Sequence, residues 1–299
     1  MTTATFEGVM PALITPFTPE GGAVDLGALD ALVDRCIRAG VSGLVANGST
    51  GEFTTQSNAE RRAVVEGVLA SASGRVPTVA STGAQSTKET IGLSEHAESA
   101  GAAAVMIVPP YYGALAWPEV VAHFKAVADH ISIPIMYYHL PSASGTVLTP
   151  DRLRELGEVA GVACLKDSSG DAVTAAAFLH RGDDLPTLLN GADTLTFAAL
   201  AAGVRGVVWG AASFIPDPCV ELYRTLAIDR DLDAARAIWS RIYPICELLE
   251  AVTYPAGVKA GCRHVGLATG PVRAPLLELG DPDRDRLAGL IDSLIAVAA

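Results

Sequence analysis

The chain alternates short apolar runs with longer stretches of helical period. The apolar runs are Val9–Leu13, Gly43–Ala46, Thr78–Ala80, Ala104–Val108, Ile133–Tyr138, Ala163–Lys166, Thr187–Asn190 and Gly206–Trp209. Continuous rather than alternating apolarity is the mark of a strand covered on both faces in a parallel sheet. Between Asp25 and Ala39, the side chains Leu26, Leu29, Leu32, Val33, Cys36 and Ile37 fall on one helical face, and Gly40 supplies the stop. Further helices are predicted from about Asn58 to Ala72, Lys88 to Ala100, Pro118 to His130, Pro150 to Leu156, Ala172 to Leu179 and Leu195 to Ala202. Eight strands alternating with helices predict an α/β fold, a (β/α)8 barrel over residues 1–216, with its functional residues at the C-terminal strand ends. A doubly wound open sheet ranks lower, because no G-x-G-x-x-G turn follows the first strand. Residues 217–299 are helical by pattern, including Asp231–Glu250 and Pro282–Val297, and read as helices packed on the barrel.

Composition narrows the class. Half of the 299 residues are hydrophobic, but no apolar run reaches the length of a membrane span. Met1–Glu7 has neither a basic region nor an apolar core, so it does not read as a signal peptide. The five cysteines (Cys36, Cys164, Cys219, Cys246, Cys262) are odd in number and widely spaced. They fit neither a disulfide framework nor a CxxC metal site and point to a reducing cytoplasm. A net charge of −12 argues against a sequence-independent nucleic-acid binder. It leaves room for an anionic small molecule at a local site. The six histidines show no metal-ligand spacing, which disfavours a metal-dependent aldolase or hydrolase.

The stretch with the most chemical content is Gly161-Val162-Ala163-Cys164-Leu165-Lys166, followed by Asp167-Ser168-Ser169-Gly170-Asp171. A buried strand that ends in lysine penalises the ammonium form, which lowers its pKa and frees the amine for Schiff-base chemistry. The chain has four lysines against seventeen arginines, and of these Lys166 has the strand-end context. The plainer alternative is a lysine that reaches into solvent at a loop start. After the second strand, Asn47-Gly48-Ser49-Thr50-Gly51 reads either as a backbone nest for a carboxylate or phosphate, or as a Gly-rich turn with a helix cap. The fourth strand runs into Pro109-Pro110-Tyr111-Tyr112-Gly113 and the fifth into Tyr137-Tyr138-His139-Leu140-Pro141. Only one of Tyr137 and Tyr138 can face the barrel centre, and His139 then faces the helical layer as a structural residue. A phenol beside a reactive lysine can relay protons. A lysine, a tyrosine and an anion nest on strand ends form a coherent set for a keto acid.

These motifs occur together with Gly8–Phe17, Asn47–Glu52, Pro110-Tyr111-Tyr112, Tyr138-His139-Leu140-Pro141, Leu165-Lys166-Asp167 and Asn190-Gly191-Ala192-Asp193. In that order and at that spacing the chain resembles the pyruvate-dependent class I aldolases, the family of N-acetylneuraminate lyase, dihydrodipicolinate synthase and 2-keto-3-deoxygluconate aldolase. The resemblance implies that Lys166 forms the Schiff base at the 2-keto carbon, with no cofactor beyond that covalent imine. It implies Tyr138 as general acid/base and Ser49 and Thr50 as carboxylate holders. It implies Tyr112 as part of a hydroxyl relay with Tyr138 and Ser49 across a subunit contact, in a homotetramer built as a dimer of dimers. The catalytic set is then Lys166, Tyr138, Tyr112 and Ser49, and the substrate-contacting set is Gly48, Ser49, Thr50, Ala143, Ser168 and Asp193.

Departures from the family pattern bear on the substrate. Where the synthases carry an arginine for the second substrate's carboxylate, this chain has Ala143, and a methyl group cannot replace a guanidinium. The sialic acid lyase branch has an Asp-Glu pair where this chain reads Asp193-Thr194. The leading expectation is therefore an aldolase that cleaves or forms a 2-keto-4-hydroxy acid, with pyruvate and a short aldehyde as partners. It would resemble N-acetylneuraminate lyase or 2-keto-3-deoxygluconate aldolase. The alternatives are a dehydratase, a hydratase-aldolase or a dihydrodipicolinate synthase-type condensation on the same imine. A non-catalytic keto-acid-binding barrel is the alternative from another class.

Overall fold

The apolar runs become eight strands: β1 Gly8–Pro11, β2 Leu44–Ala46, β3 Thr78–Ser81, β4 Ala104–Ile107, β5 Ile135–His139, β6 Val162–Asp167, β7 Thr187–Asn190 and β8 Gly206–Trp209. In the computed structural model, which describes residues 6–159, 161–181 and 185–296, they pair in parallel in the order β1-β8-β7-β6-β5-β4-β3-β2. The ring is completed between β1 and β2 by a bridge from Ala12 to Val45, where the Leu13 N–H donates to the Val45 carbonyl at 3.0 Å. The fold is a (β/α)8 barrel, as the strand–helix alternation predicts. Residues 1–5 and Val297, on which two of the sequence readings fall, lie outside the described residues.

Period-two alternation sorts each strand between two environments. Met10, Met106, Met136, Tyr138, Cys164, Leu189 and Val208 pack together inside the ring. Their strand neighbours Ile107, Tyr137 and Leu165 pack outward against Phe124, Leu153 and Phe178 of the helical layer. Three of the chain's four methionines thus fill the barrel centre, where an unbranched thioether adapts to an irregular space.

The surrounding helices are α1 Leu26–Arg38, α2 Asn58–Ala72, α3 Thr87–Ala100, α4 Trp117–Ala128, the single turn α5 Pro141–Ser144, α6 Pro150–Glu158, α7 Ala172–His180, α8 Thr196–Ala201 and α9 Pro216–Tyr223. Their starts are chemically marked. Asp25 caps α1, Ser57 forms a capping box with Glu60 on α2, and Thr149 and Pro150 open α6. The helix α9 packs on β1 and straddles the boundary expected at residue 216. Beyond it lie α10 Leu232–Ala251, α11 Tyr254–His264 and α12 Asp281–Ala296. The end of α10 falls one residue past the Asp231–Glu250 helix read from sequence, whereas α11 is not singled out there. No helix among the described residues is long and apolar enough to cross a membrane.

One buried ion pair ties the C-terminal helices to the loop after β2. Glu52 and Lys259 are both fully buried, with Nζ 2.6 Å from Oε1. The second Glu52 oxygen accepts the Arg273 N–H at 2.9 Å, and Lys259 also donates to the Pro271 carbonyl at 2.8 Å. Two cations lie over the Phe17 ring, Lys259 Nζ at 4.1 Å and the Arg273 guanidinium at 3.9 Å from its centroid. Burial pulls the Lys259 pKa down, and the Glu52 carboxylate opposes that shift. Removing one partner strands a charge in the interior. Glu52→Gln or Lys259→Met alone is therefore expected to cost ~3–5 kcal/mol in urea unfolding, with the double variant recovering part of the loss. Single variants as stable as the parent chain would show that the pair does not hold this junction together.

Candidate active site

At the C-terminal end of the barrel opens a cavity of about 620 Å3. Its floor is set by the register of β5 and β6, which places Tyr138 directly beside Lys166 and His139 beside Asp167. Alternation then turns Tyr138 and Lys166 inward together. Lys166 is 5 % exposed, and its Nζ sits 4.0 Å from the centroid of the Tyr138 ring. The amine faces the cavity rather than reaching past the rim, so the solvent-reaching alternative is not the arrangement adopted.

Ser49 and Thr50 line the same cavity from the loop after β2. They form a single 3-10 turn, Ser49–Gly51, whose first internal hydrogen bond runs from the Gly51 N–H to the Gly48 carbonyl. The amides of Ser49 and Thr50 precede that bond, as the first amides of any helical turn do. Asn47 and Glu52 bracket the turn in left-handed conformations, with φ of 60° and 58°. Asn47 tolerates this and donates its side-chain amide to the Arg61 carbonyl at 2.6 Å. Gln56 donates to the Gly51 carbonyl, also at 2.6 Å. The turn is thereby held from both sides.

The opposite wall carries Ser168, Asp193, Thr194, Glu250 and Tyr254. The Tyr254 hydroxyl donates to Asp193 Oδ2 at 2.6 Å, and Glu250 accepts from the Thr194 hydroxyl at 2.6 Å and from its N–H at 3.1 Å. Burial pushes the Asp193 carboxyl up to about 7, against the hydrogen bond from Tyr254. Two glycines make this packing possible. A Cβ on Gly191 would lie 2.3 Å from Ser168 Oγ and 2.7 Å from Lys166 Cε, and one on Gly210 would lie 2.3 Å from the Tyr254 hydroxyl.

Of the residues singled out from sequence, Lys166, Tyr138, Ser49, Thr50, Ser168 and Asp193 share this cavity. Gly48 is buried at the head of the 3-10 turn, one residue away from the lining. Ala143 lines an adjoining recess of about 210 Å3 with Ser49, Tyr111 and Leu140. Tyr112 is 93 % exposed and is not brought to the cavity within one chain. Sequence reading assigned no role to Gly191, although it stands in the Asn190–Asp193 motif, and none to Gly210, Glu250 or Tyr254. The one available signal for the last was Tyr254-Pro255, a proline at the first turn of a new helix after the long α10 pattern. Among the described residues, no group of three or more His, Cys, Asp or Glu is placed to hold a metal ion.

Comparison with known proteins agrees with this architecture. The profile of the dihydrodipicolinate synthetase family matches residues 5–294. A 4-hydroxy-tetrahydrodipicolinate synthase of Sorangium cellulosum is 39 % identical over 94 % of this chain and 93 % of its own length. The enzyme of that name from Methanopyrus kandleri is 37 % identical over 94 % of each chain. The chloride-inhibited dihydrodipicolinate synthase of Acinetobacter baumannii, solved with pyruvate, superposes with a TM-score of 0.91 at 30 % identity, covering 97 % of this chain and 99 % of its own. The chain belongs to the dihydrodipicolinate synthetase family. It is an enzyme of the carbon–carbon lyase class, of the class I aldolase type. The names of these relatives back the synthase-type condensation over the N-acetylneuraminate lyase-like or 2-keto-3-deoxygluconate aldolase-like reading expected first.

Two measurements test the geometry. Gly191→Ala forces its methyl into the Lys166 side chain, so trapping of a keto-acid imine should slow by ~10-fold or more in a variant with unchanged circular dichroism. A parent-like rate would show that Lys166 and Ser168 move aside freely. Asp193 has a raised folded pKa, so between about pH 4 and pH 7 the folded chain keeps a proton that the unfolded chain has released. Its contribution to stability is complete below that window and is lost as the pH rises through it. Asp193→Asn should flatten the fall in urea midpoint between about pH 4 and pH 7. An unchanged slope would place the titration on another group.

Proposed function

We propose that this chain condenses pyruvate with an aldehyde through an imine on Lys166, without an external cofactor. The observation that carries the reading is the buried Lys166 amine over the Tyr138 ring, facing a cavity that the Ser49–Thr50 turn also lines. Lys166 Nζ adds to C2 of pyruvate, and loss of water leaves an iminium. A proton leaves C3, and the resulting enamine attacks the aldehyde carbon. The new alkoxide takes up a proton, and hydrolysis of the imine returns the amine and releases a 4-hydroxy-2-keto acid. Tyr138 carries the protons, and the Ser49 and Thr50 hydroxyls with their amides hold the pyruvate carboxylate beside it. The condensing direction draws support from the relatives named as synthases and from the relative solved with pyruvate.

A second reading concerns the aldehyde and rests on charge. Among the residues lining the cavity Lys166 is the only cation, while Asp193 and Glu250 are carboxyl groups, and Ala143 stands where a synthase arginine is expected. An acceptor with its own carboxylate finds no guanidinium there, whereas a neutral hydroxyaldehyde finds hydrogen-bonding partners in Thr194, Glu250 and Tyr254. On this reading the same imine also serves cleavage or dehydration of a 2-keto-3-deoxy acid. Tyr112, fully presented to solvent in one chain, is read as the relay hydroxyl offered to a second copy in a homotetramer.

Borohydride added with pyruvate should leave a reduced pyruvyl adduct on Lys166 in a peptide mass map, and no adduct on the folded enzyme would end the reading. Tyr138→Phe should still form the adduct but turn over ~10²–10⁴-fold more slowly. Aspartate semialdehyde and glyceraldehyde supplied separately as acceptors decide between the two aldehyde classes.

A further inference from the structure

Tyr138 and Lys166 face inward, and the next residue on each strand, His139 and Asp167, faces the helical layer directly behind them. Their side chains are 3 % and 7 % exposed, with His139 Nδ1 2.9 Å from Asp167 Oδ1. The other ring nitrogen, Nε2, receives the Leu148 N–H at 3.3 Å. A nitrogen that accepts carries no proton, so the ring is the Nδ1–H tautomer and donates to Asp167. Asp167 Oδ1 also accepts the Ser169 N–H at 3.0 Å, and the Ser168 N–H donates to the His139 carbonyl at 2.9 Å.

The result is a continuous chain of hydrogen bonds from Leu148, through His139 and Asp167, to Ser169. It joins the two loops that follow β5 and β6. Those loops put Leu140 and Ser142 from one side, and Ser168, Ser169 and Gly170 from the other, into the wall of the cavity. Neither loop belongs to the Ser49–Thr50 turn proposed to hold the pyruvate carboxylate. We propose that His139 and Asp167 are positioning residues for the aldehyde half of the cavity. They fix the spacing of the two loops while leaving the imine half to Lys166, Tyr138 and the β2 loop. The proposal rests on the imine reading above.

A merely structural pair would lower stability and reduce both half-reactions together. A positioning pair separates them, because loops displaced by about an ångström lose the acceptor geometry and not the nucleophile. His139→Phe keeps the ring volume and removes both hydrogen bonds. His139→Asn keeps a donor toward Asp167 and frees Leu148. Asp167→Asn keeps an acceptor for both Nδ1–H and Ser169. With pyruvate and the better of glyceraldehyde and aspartate semialdehyde, His139→Phe is expected to raise the aldehyde KM or lower its kcat/KM by ~10–100-fold. Borohydride trapping of pyruvate on Lys166 should stay within about twofold of the parent, and Asp167→Asn should retain most of the aldehyde kcat/KM, since the acceptor is kept. If His139→Phe does not fold, His139→Asn is read in its place with the same sign and a smaller effect.

Equal losses in trapping and in aldehyde turnover would overturn the proposal, as would an unchanged aldehyde kcat/KM in a folded variant. The parent enzyme separates the two hypotheses. No pyruvate adduct on it would refute the imine reading, whereas an adduct on the parent with no split among the variants would refute the positioning role alone.

Discussion

The site depends on one register, the pairing of Tyr138 with Lys166 across β5 and β6. Parallel strands present alternate residues to the same face, so a register that aligns these two backbones also aligns their side chains inside the barrel. A slip of one residue on β6 would send the lysine to the helical layer and bring Leu165 or Asp167 to the centre, and a slip on β5 would put Tyr137 or His139 there in place of Tyr138. The barrel resists such a slip on both faces. Inside, Met136 and Cys164 fill the layer beneath, and outside, Tyr137 stacks on Phe124 at 4.8 Å between ring centroids. The irregularity in the ladder between Ile135 and Met136 is taken up at the start of β5, before the functional pair.

Around that fixed pair the cavity is shaped as much by missing atoms as by present ones. Gly191 leaves the space through which the Lys166 side chain extends, and Gly210 leaves the space that the Tyr254 phenol occupies. Tyr254 in turn comes from α11, the helix that carries Lys259 into its ion pair with Glu52. The turn holding Ser49 and Thr50 ends on that same Glu52. The proposed carboxylate turn and the far wall are thus connected through one buried charge pair, although they come from opposite ends of the chain. The C-terminal helices are part of the site's construction rather than an addition outside it.

This connection explains how much of the site was legible in the sequence. Strand positions, Lys166 and Tyr138 were readable because they depend on local patterns, apolar runs and the side chains that close them. Alternation was enough to put Tyr138 on one face and Tyr137 with His139 on the other, while the resemblance chose Tyr138 for the interior. Gly191, Gly210, Glu250 and Tyr254 carry no such local mark. Each matters because of a group brought near it by the closed ring, and the residues that meet at Asp193 and Tyr254 are 61 positions apart. His139 read as structural from its orientation, and its link to Asp167 became visible only with the register of β5 against β6. Tyr112 marks another boundary, since it is 93 % exposed and lies outside the residues that line the cavity within one chain.

The two halves of the cavity face different physical demands. Imine chemistry requires one amine, one proton carrier and a carboxylate seat, and the groups proposed for them, Lys166, Tyr138 and the Ser49–Thr50 turn, are held by strand register or by the buried Glu52–Lys259 junction. The acceptor half instead rests on loop residues, on α11 and on a carboxyl group whose pKa burial has pushed up to about 7. A group titrating there is a poor permanent counter-charge but serves as either donor or acceptor toward a hydroxyl. Loops also accept substitution at lower cost than strands do, because fewer packed contacts constrain them. Replacing an arginine by Ala143 can therefore change which aldehyde fits while leaving the lysine, the tyrosine and the hydroxyl turn untouched. Fold alone does not fix an acceptor, so on the proposed reading the aldehyde is selected by the loops after β5, β6 and β7 rather than by the barrel.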